Sequence, residues 1–87
     1  MSAAELMKQK LAKLDPEALD IVDESAHHAG HAGARDGGGH YRLTIVSRQF
    51  AGKPVQARHR MVYEALGTMM HKDIHALAIN ARAPEEN

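Results

Sequence analysis

The 87-residue chain has no cysteine and no tryptophan, and only one phenylalanine and two tyrosines. Without a thiol it forms no disulfide, offers no thiolate nucleophile and builds no cysteine-ligated zinc or iron site from its own side chains. Soft-metal chemistry would therefore need sulfur from a partner. So few aromatics leave few platforms on which nucleic-acid bases could stack. Charge of one sign is missing as well: eleven Lys and Arg balance eleven Asp and Glu, for a formal net charge of zero with His neutral. That balance argues against a general phosphate-driven nucleic-acid binder, though it leaves room for a local basic patch. No apolar run approaches the roughly 18 residues of a membrane span. The opening stretch MSAAELMKQKLAKLD has neither a signal-peptide core nor an Arg-rich transit character. A cytoplasmic location without a membrane partner is the expectation.

What the chain has in quantity is histidine, at seven residues. Imidazole is both the side chain that titrates near physiological pH and the commonest metal ligand. The length suits one small domain spanning 1–87, able to bury only about 60 to 68% of its unfolded surface.

Ser2 followed by Glu5 reads as a capping box, and Leu6, Met7, Leu11 and Leu14 give a first helix its apolar stripe, with Lys8, Lys10 and Lys13 outside. Asp15-Pro16 ends it. Residues 18–24 alternate around Leu19, Ile21 and Val22 as a charged, solvent-facing strand. Tyr41 to Ser47 is a clearer strand, with Tyr41, Leu43 and Ile45 on one face and Arg42, Thr44 and Val46 on the other. The two should pair antiparallel. Between them, residues 25–39, SAHHAGHAGARDGGG, form a connection far longer than a hairpin needs. Its glycines and lack of large apolar groups predict a mobile segment carrying His27, His28 and His31 close together. That spacing suits either a metal-related role or a solvated spacer. Arg48 to Lys53, with Gly52, reads as a turn or single helical turn.

The most informative stretch runs from Pro54 to Pro84. Pro54 fits a first helical position, and Val55, Val62, Ala65, Leu66 and Met69 recur at the spacing of one apolar face, with Gln56, Arg60, Glu64, Gly67 and His71 opposite. Arg58 falls inside the apolar arc and His59 at its edge. Lys53, Arg58, His59 and Arg60 crowd a helix start, where the macrodipole disfavours cations and favours anions. Either these charges are solvated, with Arg58 snorkelling at the helix end, or they await an anionic or carboxylate-bearing partner. A strand from Ile74 to Ala81 follows, with His75, Leu77, Ile79 and Ala81 on the face toward the helix and Ile74, Ala76, Ala78 and Asn80 on the other. Leu66, Met69, Leu77 and Ile79 are expected in the core. Taken alone, a strand-end histidine such as His75 suits a hydrogen-bonded structural role better than that of a ligand, and periodicity by itself does not promote it.

The segments RHRMVYEAL at 58–66, IHALAI at 74–79 and APEE at 83–86, extended by YRLTIVS at 41–47 and FAGK at 50–53, make the chain similar to the BolA family over nearly its whole length. The order helix, strand, strand, short helix, long helix, strand gives an α+β fold with helices on one face of a three-stranded mixed sheet and a short tail at 84–87. The resemblance implies the same αββααβ arrangement, akin to the type II KH domain.

The resemblance also implies a role beside monothiol glutaredoxins, with which BolA-like proteins share a [2Fe-2S] cluster in its binding, trafficking or iron sensing. The ligands it implies are the strand-start histidine, here His75, and one from the 25–39 connection. His28 matches best there, with His27 and His31 as rivals, and the absence of cysteine puts the chain in the histidine-bearing branch. No cluster is expected on the isolated chain, and a weak homodimer is left open. A second implied role is that of a DNA-binding transcriptional regulator meeting phosphate through Lys53, Arg58, His59 and Arg60. An enzyme is the least supported class, with no thiol, no triad and no phosphate-cradling glycine loop.

Overall fold

The computed structural model of the chain describes residues 2–25 and 39–86. Helix α1 (Ala3–Leu11) opens on the expected capping box: Ser2 Oγ accepts the Glu5 N–H at 3.1 Å, and the Glu5 carboxylate accepts the Ser2 N–H at 3.4 Å. A 3₁₀ turn (Ala12–Leu14) extends it, and Asp15, in the left-handed region at φ 50°, reverses the chain before Pro16. Met7, Leu11 and Leu14 are buried along one stripe.

Strand β1 (Ala18–Asp23) runs antiparallel to β2 (Gly39–Val46), with Leu19 opposite Ile45, Ile21 opposite Leu43 and Asp23 opposite Tyr41. Parallel strands need a crossover connection, and residues 47–73 supply one before β3 (Ile74–Arg82) joins the other side of β2. The sheet order is thus β1-β2-β3. The crossover holds a 3₁₀ turn (Arg48–Phe50), helix α2 (Val55–Leu66) and a second 3₁₀ turn (Gly67–His71). At its start the fully buried Ser47 accepts the Gln49 N–H and donates from Oγ to the Leu14 carbonyl at 2.6 Å. One hydroxyl thereby caps the short turn and satisfies a helix-end carbonyl.

The core lies between the helices and the face of β2 bearing Tyr41, Leu43 and Ile45, and is closed by Phe50, Val62, Ala65, Leu66, Met69 and Ile74. On the other face Arg42, Ala76, Ala78 and Asn80 are exposed. This is the α+β, three-stranded mixed-sheet architecture expected, with differences in detail. Helix α2 is shorter than its apolar repeat, because Gly67 takes φ 59° and ψ −131° and the chain turns into 3₁₀ geometry before Met69. Only glycine adopts that conformation without strain. Pro54 is the residue before the helix rather than its first member. Val55 is 64% exposed instead of buried, since the inward place at that end of α2 is taken by Arg58. Leu66 and Met69 are core, whereas Leu77 and Ile79, on an edge strand, are only partly buried against it. No helix among the described residues is long and apolar enough to cross a membrane.

Candidate functional site

The chemistry-bearing side chains gather where β2 and β3 begin. Gly39 pairs with Ile74 and His40 with Ala76, so β3 carries one extra residue, His75, in a bulge. The plain alternation of the sequence places His75 on the core face and Ile74 on the open face. The bulge reverses this: Ile74 is 3% exposed within the core, and His75 is exposed. Its ring lies 5.1 Å from that of His40, tilted by 44°.

His40 is itself fixed through its backbone. Its carbonyl accepts the Glu24 N–H at 2.7 Å, and its N–H donates to Ser25 Oγ at 3.1 Å. Ser25 in turn donates its N–H to Asp23 Oδ1 at 2.9 Å, and hydrogen bonding from the Ser25 side chain first and this backbone N–H second holds the Asp23 carboxyl below its ordinary range. Tyr41, on the core face of the same strand end, has its phenol pushed up, chiefly by burial and further by the carboxylates of Asp23 and Asp73. A groove of about 340 Å³ begins at His40 and runs along β3, lined by Glu24, His40, Tyr41, Ala76, Leu77 and Ala78. Glu24 is engaged there by Arg42 Nε at 3.1 Å. Among the described residues no three His, Cys, Asp or Glu side chains converge as a complete metal-binding set. What the site offers is one exposed imidazole on a strand end with a second beside it, in a chain without thiols.

Sequence reasoning selected His75 and missed His40. The missing signal is the register shift, since alternation alone directs His75 and His40 to opposite faces. His27, His28 and His31 lie outside the described residues, as does the expectation of mobility for that segment.

The expected basic site at the start of α2 divides in two. Lys53 and Arg60 are exposed and His59 partly so. Arg58 instead turns inward and meets a carboxylate of its own chain: Nη1 and Nη2 donate to Glu86 Oε1 and Oε2, each at 2.6 Å. Its Nε donates to the Lys53 carbonyl at 2.8 Å and Nη1 to that of Ala81 at 3.0 Å. Glu86 Oε1 also accepts the Ala83 N–H, closing a 3₁₀ turn (Pro84–Glu86) where the sequence suggested only a tail. The carboxylate-bearing partner of Arg58 is therefore internal, and its charge is not presented to a phosphate backbone.

Residues 11–86 match the family of BolA-like proteins. The chain is 43% identical over 86 residues to SufE-like protein 1, chloroplastic/mitochondrial, of Arabidopsis thaliana, a match covering 92% of this chain and 23% of that longer protein. It is 34% identical over 87 residues to the DNA-binding transcriptional regulator BolA of Escherichia coli strain K12, covering 99% of this chain and 80% of the relative. The solved structure of BolA1 from Arabidopsis thaliana superposes with a TM-score of 0.84 at 35% identity, covering 100% of this chain and 98% of the other.

Proposed function

The chain belongs to the BolA-like protein family, and from that premise we propose that it is a cytoplasmic binding partner of a monothiol glutaredoxin that donates histidine ligands to a shared [2Fe-2S] cluster. The observation that carries this reading is the exposed His75 at the β3 bulge, its imidazole adjacent to that of His40. The donor set fits the group: imidazole is an established ligand of iron in such clusters, and the sulfur this chain lacks would come from the partner. When bound, the cluster supplies electron storage and a transferable iron-sulfur unit. The chain's own contribution is to hold an imidazole on a rigid strand end, open to a partner's surface. His28, with His27 and His31 as rivals, is proposed as a second donor from the segment joining β1 and β2. Because imidazole binds a proton in competition with a metal, ligation of this kind is more labile than thiolate ligation, which suits sensing or hand-over.

The test is to mix the protein with a cluster-loaded monothiol glutaredoxin and record visible absorbance and circular dichroism. The expected result is a changed cluster spectrum in a one-to-one complex. His75→Ala should abolish the change or shorten its lifetime about 10-fold or more, and His28→Ala should do less, because His27 and His31 share its segment. An unchanged lifetime in folded His75→Ala would overturn the assignment.

A second reading, DNA binding, is favoured by one observation: Lys53 stands exposed just before α2, where helix N–H groups attract anions, and Arg60 is exposed further along the same helix. One relative bears the name of a DNA-binding regulator. This reading has lost Arg58 to the internal pair with Glu86. Electrophoretic mobility shift with and without Arg60→Ala tests it.

A further inference from the structure

The register shift that exposes His75 needs a physical cause, and the core face beside it holds one. Between the pairs Gly39–Ile74 and Tyr41–Leu77, β2 advances two residues while β3 advances three. On the β2 side of that mismatch the Tyr41 ring lies over Gly39. A Cβ built on Gly39 would stand only 2.5 Å from Tyr41 Cε2, 2.7 Å from Cζ and 2.6 Å from the hydroxyl oxygen. The ring therefore occupies space that any side chain at position 39 would need. Tyr41 is 8% exposed and belongs to the same core cluster as Ile74. The N–H of Gly39 donates to the Asp73 carbonyl at 3.0 Å immediately before the shift.

We propose that the Tyr41 ring, lodged in the space left by the absent side chain of Gly39, braces the β2–β3 register shift that turns His75 outward, so that Gly39 and Tyr41 are positioning residues for the ligand histidine. This rests on the reading of His75 as a ligand and adds what sets its presentation. Bulges re-aim side chains next to functional sites, and a ligand is tuned by the groups that orient it. Without the shift, the alternation running back from Leu77 would carry His75 to the core face and Ile74 to the open one. With the ring over Gly39, the two strands are held at unequal advance, Ile74 fills the core and the imidazole reaches His40.

Gly39→Ala is the direct test. The atoms that obstruct its Cβ are the far end of the Tyr41 side chain, so the ring is displaced while the backbone path stays open. In the isolated protein, exchange of the residue 39 amide should accelerate about 10-fold or more while amides of α1 and α2 keep their protection. The nuclear Overhauser contact between the His40 and His75 rings should disappear. Tyr41→Phe, which retains the ring, should keep both signals. With cluster-loaded monothiol glutaredoxin, Gly39→Ala should shorten the lifetime of the mixed-cluster dichroism about 10-fold, and Tyr41→Phe should not. If Gly39→Ala fails to fold, Tyr41→Leu replaces it, removing the ring but keeping an apolar side chain. Unchanged exchange and an intact ring contact in the folded variant overturn the brace, whatever the cluster does. A wild-type protein that leaves the glutaredoxin spectrum unchanged sinks the cluster reading instead, and the magnetic-resonance arm still decides the brace.

Discussion

Arg58 shows how far one residue can depart from what its neighbours suggest. In sequence it is the middle of a basic triplet, Arg58-His59-Arg60, and in the structure it is 9% exposed, with its guanidinium bridging the segment before α2, the end of β3 and the C-terminal turn. A planar fork with two parallel bonds to one carboxylate suits arginine and not lysine. The pairing lowers the Glu86 carboxyl from 4.5 to about 2, with the Arg58 hydrogen bonds the main cause and the Ala83 N–H the next. Because the folded value is depressed, the stabilisation is fully present above the unfolded value near 4.5 and is lost as pH falls toward 2. Glu86→Gln should therefore lower the melting temperature at neutral pH and flatten its decline across that acid window, measured by circular dichroism in a pH series. Parallel declines in wild type and variant would remove the pair from the account.

At the scale of elements, the ends of α2 and the position of β3 in the sheet decide the outcome. Gly67 stops α2 in a conformation that side-chain-bearing residues adopt only with strain, and a Cβ there would meet no atom within 4 Å. Gly67→Ala should thus cost about 1 to 3 kcal/mol through the backbone alone, read as a shift in urea midpoint without a change in slope. The two outer strands differ in consequence from the central one. Leu43 of β2 is 0% exposed, whereas its neighbour across the ladder, Ile79, and the nearby Leu77 are only partly covered. Leu43→Ala should cost about 2 to 5 kcal/mol, and Leu77→Ala about 1 to 2 kcal/mol. Equal costs in chemical denaturation would mean that β3 is as deeply packed as β2.

Over the whole molecule, the helices cover one face of the sheet and the His40–His75 pair sits at the strand starts. Formal charges cancel, and part of the positive charge at the α2 start is neutralised from within by Glu86. A protein so arranged has no net positive charge with which to release many counterions from DNA. Any DNA binding should accordingly be weak at physiological salt and fall only shallowly as salt rises to about 200 mM, measured by fluorescence anisotropy over a salt series. Nanomolar, sequence-specific binding that survives this salt and is lost in Arg60→Ala would reverse the order of the two functional readings.

The sequence by itself determined the order of elements, the capping box of α1, the inward face of β2 and the family, because these depend on local periodicity, short-range hydrogen bonds and motifs that are contiguous in the chain. It also marked His75 as a ligand candidate through the segment IHALAI. Which way His75 faces, that His40 stands next to it, and that Arg58 answers to Glu86 were decided by tertiary structure. Each of these depends on residues 28 to 35 positions apart meeting in space. Alternation along a strand carries no information about the register of its partner, and one extra residue in β3 inverts the facing of everything before it. In the same way, a run of positive charge says nothing of which carboxylate the folded chain brings to it.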